Sequence, residues 1–423
     1  LSDQEYFGDI LMDILYYNQV TSESFEIRKN LEEVVDMPGF VFQGDKQWED
    51  VNFITEPTER YILIINHDTV FDNIGYFLEQ NEKLIQDLSN NKSKLIMTSH
   101  EGDVNDLGIS DTRILSTSRD INDFCTSNDI SKDNILNMST TKFLNRDVEN
   151  YSFHNRWMIH MSFLFCHDKI YTNLFKKSRN FCRKYHFYTI NSLPRYHRVE
   201  LYLFLKNNDL LSKTNGTFFT TVHKGKEPFG EHGINSYSIP REKIQIDESY
   251  ENILTKIKNE IPSGGIGRDM KMIDFSPSTT INLSRSYNSY FNIVTPSIFY
   301  TDNNDDDFIY FDEKFWKPFI TFHPFIVIGK PYTLQTLKEF GFKTFSPWID
   351  ESYDTEVDYF KRRDMIQKEI LRLSNMSIEE IDDWYWDMGN ILIHNFKQLQ
   401  KYGVGENQKF INLLKDKWSV LNG

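Results

Sequence analysis

Three basic side chains stand close together in Asn191-Ser192-Leu193-Pro194-Arg195-Tyr196-His197-Arg198. Tyr185 to Ile190, just before it, reads as a strand, and Tyr196 to Asn207 reads as a helix with Val199, Leu201, Tyr202, Leu203 and Leu205. Arg195, His197 and Arg198 therefore fall where a helix leaves a strand. A helix start offers unpaired backbone N–H groups and a positive partial charge. Arginine adds a planar, permanently charged fork that matches phosphate oxygens. Each such bond is worth about 1.5–3 kcal/mol, so two or three could hold a diphosphate. Surface arginines paired with nearby acids are the competing reading.

A second constellation is Asp312-Glu313-Lys314-Phe315-Trp316-Lys317-Pro318, followed by Phe322-His323-Pro324-Phe325-Ile326-Val327-Ile328-Gly329. A carboxylate such as Glu313 can accept both hydroxyls of a ribose. Lys314 and Lys317 can offset phosphate charge. A turn at Gly329 lets backbone come close to a ligand. A plain surface Glu-Lys pair is the alternative.

The elements that must position these residues have their own signals. Tyr61-Ile62-Leu63-Ile64-Ile65 and Lys94-Leu95-Ile96-Met97 read as buried strands. Asn73 to Leu88, between them, has helical spacing. Strand, helix, strand is the unit of a parallel sheet. A second set includes the Tyr185 strand, a strand at Pro324 to Ile328, a helix at Thr333 to Phe340 stopped by Gly341, and a strand at Lys343-Thr344-Phe345. Ser377-Ile378-Glu379-Glu380 has the form of a capping box, and helical spacing continues to Leu392. The expected fold class is α/β, with two Rossmann-like domains facing a central cleft and C-terminal helices. The expected boundaries are 1–180, 181–355 and 356–423.

Composition sets limits. The 423 residues allow two or three domains and a sizeable core. The 34 Phe and 22 Tyr supply burial that aliphatic residues usually provide. Alanine is absent, a usage expected of strongly AT-rich coding, as in many phages and large DNA viruses. A net charge of −15 disfavours a broad basic surface for duplex nucleic acid. Cys125, Cys166 and Cys182 are odd in number and lack metal spacing, so reduced thiols in an intracellular protein are expected. No membrane span and no signal peptide are expected, and the natural start is expected upstream of Leu1.

The stretch Glu313 to Asp354, with Glu-Lys, Lys-Pro, His-Pro-Phe-Ile-Val-Ile-Gly and Phe-Gly-Phe-Lys-Thr-Phe, together with Asn191 and Pro194 to Arg198, resembles a group of phage and giant-virus proteins regarded as glycosyltransferases. It is distantly similar to the α1,3-fucosyltransferases, which share a Glu-Lys and a later Pro-Val-x-x-Gly pattern. The likeness covers roughly residues 185–375. It implies a GT-B fold whose second domain holds a nucleotide-sugar donor. By position, Glu313 would bind the donor ribose and Lys314 a phosphate, with Arg195 or Arg198 on the other phosphate. Asp312 stands where the family often has Thr, and Pro296 where it has an acid.

A base that activates the acceptor is then expected from the first domain, where His100, Glu101 and Asp103 follow a strand. Glu101 leads, and capping or loop roles compete. Charge on the leaving diphosphate would be met by arginine, lysine and backbone N–H groups, with no metal required. The run Asp302 to Asp307 reads as a solvated loop. The expected partners are a nucleotide-sugar and an acceptor glycan, protein or modified DNA base, with no membrane. The expected location is the cytoplasm of an infected host cell or the virion. The rival expectation is a non-catalytic virion or interaction protein on a degenerate transferase fold, with Asp312 and Pro296 as its support.

Overall fold

A computed structural model gives the architecture. It describes residues 14–18, 26–28, 60–66, 82–98, 122–144, 151–153, 155, 158, 162, 168–191, 196–218, 286–296, 299 and 308–422. The chain divides into two compact units. One comprises Leu1–Asp103, Ser110–Arg156 and Gly405–Gly423, and the other Val104–Ile109 and Trp157–Val404.

The first unit holds a six-stranded sheet. Its strands are β1 (Ile14–Asn18), β2 (Glu26–Arg28), β3 (Tyr61–Asn66), β4 (Ser93–Thr98), β5 (Ile135–Ser139) and β7 (Tyr151–Phe153), in the order β2-β1-β3-β4-β5-β7. Only β2 runs antiparallel to its neighbour. Strand β6 (Thr141–Phe143) also belongs to this unit. The apolar runs at 61–65 and 94–97 form β3 and β4, as their unbroken hydrophobicity predicts. Helix α1 (Glu82–Ser89) lies between them in the chain and buries Leu84 and Leu88. The part of the predicted helix before Glu82 lies outside the described residues.

The second unit is built on a four-stranded, all-parallel sheet. It contains β8 (Tyr185–Asn191), β9 (Thr214–Phe218), β10 (Ser289–Val294) and β12 (Phe325–Val327), in the order β12-β10-β8-β9. Strand β11 (Phe308–Tyr310) and helices α2 (Asp168–Lys177), α3 (Tyr196–Asn207), α4 (Glu313–Ile320), α5 (Thr333–Glu339), α6 (Tyr359–Ser374) and α7 (Ile378–Asp387) complete it. Helix α8 (Gly389–Asn422) gives its residues through Val404 to this unit and the rest to the first. Aromatic rings fill the core. Phe319 and Phe342 lie 4.5 Å apart, and Phe311 and Phe315 lie 4.9 Å apart. These rings replace much of the missing small aliphatic volume.

Local signals match several elements. The Gly341 N–H donates to the Lys338 carbonyl, and the Phe342 N–H to the Leu337 carbonyl, at 2.9 and 3.0 Å. That double bond pattern ends α5, and Gly341 supplies the positive φ of 83° it needs. The Ser377 capping box is complete, with Ser377 and Glu380 each accepting from the other's backbone N–H. The expected strand at Lys343-Thr344-Phe345 is not formed. Asn395 of α8 takes both backbone groups of Lys343, each at 2.8 Å, and Glu351 accepts from the Phe345 N–H. Side chains thus satisfy the groups that a neighbouring strand would have paired.

Candidate functional site

The four parallel strands point their carboxyl ends to one edge. From β8 the chain passes through α3 to β9 on one side, then returns to place β10 on the other side of β8. From β10 it passes through α4 to β12, moving further in the reverse direction. The direction of winding therefore switches between β8 and β10. Right-handed crossovers then put α3 and α4 on opposite faces of the sheet. A crevice opens at such a switch, outside the carboxyl ends of the strands.

Both helices begin at this edge. Helix α3 follows β8 directly. Helix α4 connects parallel strands and so runs back against them. Its far end leads to His323, whose Nε2 donates to the Ser289 carbonyl at 2.9 Å, at the amino end of β10. The first turn of α4 lies one helix length away, about 12 Å, toward the carboxyl edge.

Asn191 closes β8 and organises the switch. Its Oδ1 accepts from the Thr295 hydroxyl at 2.7 Å, and its Nδ2 donates to the Thr189 hydroxyl at 3.1 Å. Its backbone N–H donates to the Thr217 hydroxyl at 3.3 Å, which ties in β9. His197 Nε2 donates to the Pro296 carbonyl at 2.9 Å, and Arg198 donates to the Thr295 carbonyl at 2.9 Å. Both side chains are buried. The start of α3 is thus fastened to the end of β10. Arg195 lies outside the described residues.

Gly329 follows β12 on the same edge. A methyl group there would stand 2.7 Å from Val327 Cγ1 of β12 and at ordinary contact distance, 3.5 Å, from Pro296 Cγ. The tight fold of this turn back on β12 therefore depends on the missing side chain. Lys330 is buried, with its ammonium 3.6 Å from the centroid of the Phe308 ring.

The first turn of α4 carries a compact ionic group. Asp312 caps the helix, accepting from the Lys314 N–H at 3.1 Å. Lys314 Nζ pairs with Glu313 and lies 3.8 Å from Asp312. Glu313 and Lys317 are each 8% exposed, which sets this group apart from an ordinary surface pair. Burial pushes the Glu313 carboxyl up, but Lys314 and Lys317 outweigh it and hold the carboxyl below its usual range. Burial lowers the Lys317 ammonium to about 8, against the pull of Glu313.

The sequence-predicted residues His197, Arg198, Glu313, Lys314, Lys317 and Gly329 all belong to the second unit. Topology assigns His197, Arg198, Glu313, Lys314 and Gly329 to the carboxyl edge of its sheet, with Lys317 one turn into α4. His100, Glu101 and Asp103 lie outside the described residues. Thr295 and Asp354 were missed. Asp354 Oδ1 accepts from the Leu334 N–H at 2.8 Å and Oδ2 from the Gln335 N–H at 3.0 Å, which caps α5 from a distant segment. Burial raises this carboxyl to about 6 against those two bonds. Its only sequence signal was its place in the Asp-Glu-Ser-Tyr-Asp run. Among the described residues, no group of three His, Cys, Asp or Glu side chains is arranged to hold a metal ion.

The fold defines a mixed α/β protein with parallel sheets and helices. The chain has no significant match to a protein-family model, a curated protein or a solved structure.

Proposed function

We propose that the protein is a nucleotide-sugar-dependent glycosyltransferase with a GT-B arrangement, its donor held by the second unit. One observation carries this reading. The winding switch between β8 and β10 lies at the edge where α3 begins with His197 and Arg198 and where α4 begins with Glu313 and Lys314. A nucleoside diphosphate needs a ribose acceptor, a cationic surround and close backbone. Glu313 would accept the ribose hydroxyls. Lys314 would meet one phosphate, and Arg195 or Arg198 the other. Gly329 would admit the ligand backbone-close. Lys317, buried beside them, would add positive field. As the sugar leaves, negative charge grows on the β-phosphate, and these fixed cations would stabilise it without a metal. His100, Glu101 or Asp103 would supply the acceptor-activating base, with Glu101 first among them. The acidic net charge favours a glycan or protein acceptor over a modified DNA base. A phage or giant-virus setting, in the infected-cell cytoplasm or the virion, fits the alanine-free composition.

Heat protection by nucleotides tests donor binding. A nucleoside diphosphate at a hundred times its Kd should raise stability by about 2.7 kcal/mol. Hydrolysis of UDP-, GDP-, ADP- and CMP-sugars then tests catalysis and names the base. Absence of both effects across all four series would exclude the proposal.

A second reading has its own observation. Glu313 pairs with Lys314, and His197 and Arg198 bond to backbone carbonyls, so these polar groups already have protein partners. That pattern suits a non-catalytic interaction protein that keeps the fold. Absence of heat protection by every nucleoside diphosphate, with or without a sugar, would support it.

A further inference from the structure

The segment from Lys169 to Lys184 departs from the rest of the chain in charge. It contains no acidic residue, in a protein of net charge −15. Five of its basic residues are exposed: Lys169, Lys176, Lys177, Arg179 and Lys184. It also contains three of the six large exposed hydrophobic residues found among the described residues, Ile170 at 57%, Leu174 at 48% and Phe181 at 70%.

Helix α2 sorts these groups by face. At 100° per residue, Ile170 and Leu174 form one exposed strip, Lys177 borders it, and Lys169 and Lys176 lie further round the same exposed arc, about 100–160° from the strip. The opposite side is buried. There Phe175 stacks on Phe322 at 4.5 Å and meets Trp386 at a tilt, 5.0 Å away, and Tyr171 meets Phe396 at 6.0 Å. The inner face anchors the helix to its unit, so the outer face is a second and independent amphipathic surface. Phe181 follows at the foot of the helix, after a short turn.

We propose that this face docks on an anionic lipid bilayer, with α2 lying in the interfacial plane. The charge is complementary to such a surface, whereas the net charge of the whole chain is not. Lys177 borders the apolar strip, and Lys169 and Lys176 stand beyond it on the exposed arc; such long side chains can keep their charges at headgroup level while their stems cover apolar surface. Among the described residues no helix is long and apolar enough to cross a membrane, so the contact would be interfacial. This proposal departs from the sequence-based expectation of a protein without membrane contact. It does not depend on the glycosyltransferase reading.

Co-sedimentation of the full chain with vesicles tests this. One set is phosphatidylcholine alone, and the other mixes it equally with phosphatidylserine. The protein should bind only the mixed vesicles, and less at high salt. The triple variant Lys169→Gln, Lys176→Gln, Lys177→Gln should weaken binding about a hundredfold, from about fivefold for each lysine near an anionic surface. Leu174→Ser or Phe181→Ser should each weaken it about tenfold. All of these positions are exposed, and unchanged melting confirms the fold of each variant. No binding to mixed vesicles, equal binding to both sets, or full binding by the triple variant overturns the proposal. Capture by polyglutamate that ignores Leu174→Ser and Phe181→Ser, without vesicle binding, would assign the face to an acidic protein and overturn it as well.

Discussion

The two sheets are wound differently. In the first unit the parallel strands β1, β3, β4, β5 and β7 follow one another across the sheet in a single direction. Right-handed crossovers in such a series all fall on one face. In the second unit the order β12-β10-β8-β9 reverses at β8, so right-handed crossovers there fall on both faces. Two sheets built from similar hydrophobic strands thus differ in what they can hold. In parallel α/β sheets a crevice lies outside the carboxyl ends of the strands where the winding reverses, and a steadily wound series has no such reversal. The hydrogen bonds of Asn191 to Thr189, Thr217 and Thr295 stand at that reversal and tie the strand ends on either side of it.

The sharpest way to separate the units is acid. His323 is buried in the second unit, with Nε2 donating to the Ser289 carbonyl and Nδ1 2.8 Å from the Thr321 hydroxyl. Burial lowers its pKa from 6.5 to about 3, aided by the nearby Arg183 charge. The folded state therefore binds fewer protons than the unfolded state between those values. Its contribution is complete above pH 6.5 and is lost as pH falls toward 3, by roughly 4–5 kcal/mol at most. Asp354 acts in the opposite sense. Its raised carboxyl contributes stability below 3.8 that is lost as pH rises through about 6. The difference between wild type and His323→Gln isolates the histidine. Wild-type melting should fall more steeply between pH 6.5 and 3 than that of the variant. Peptides of β8, β10 and β12 should lose hydrogen-exchange protection before those of β3 and β4. Parallel melting curves for the two proteins would remove His323 from the account.

The next effect concerns ligand. If the reversal in the second unit makes the donor crevice, Lys314→Ala should weaken nucleoside-diphosphate binding about ten- to a hundredfold, the worth of one charge-assisted bond. Lys92→Ala, at an exposed position in the first unit, should leave it unchanged. Isothermal titration of both variants gives the answer. Equal losses would mean that only diffuse charge attracts the nucleotide, and the contrast between the sheets would lose its functional meaning.

What could be read in advance follows from how far apart the interacting residues lie. Strand β8, helix α3, the Gly341 stop and the Ser377 capping box are signalled within a few residues, and they stand where their patterns place them. The trio at Lys343 to Phe345 has strand-like residues, but its backbone partners are Asn395 and Glu351, one of them 52 positions away. No local pattern announces that. Strand order is equally remote, because Phe187 and Phe291 pair across more than a hundred residues. Thr295 is a single threonine beside a proline, and only the fold brings it to Asn191. Trp384 and Tyr385 pack into the core, while Trp386 turns toward Phe175 and Arg179.

Two smaller effects test the helical frame of the second unit. Gly341→Ala places a Cβ at φ 83° and 2.6 Å from Gln398 Nε2, the mobile tip of a side chain that donates to the Phe340 carbonyl. The left-handed conformation costs about 1–2 kcal/mol for a residue with a Cβ, and chemical denaturation should show a loss of that size.

Ser377→Ala should have the least effect. It removes the hydroxyl that accepts from the Glu380 N–H at 3.1 Å and leaves the return bond from the Ser377 N–H to the Glu380 carboxylate at 2.7 Å. Half of the capping box survives, so the loss should be about 1 kcal/mol. Its value lies in location. Ile381, Trp384 and Tyr385 of α7 are buried in the second unit, and Tyr385 donates to the Phe322 carbonyl at 2.8 Å beside the buried Arg183. Weakening the cap should therefore lower protection in α7 and β10 while peptides of β3 and β4 keep theirs. Equal loss in both sets would show that the chain unfolds as one cooperative block, and the difference between the sheets would then be one of ligand chemistry alone.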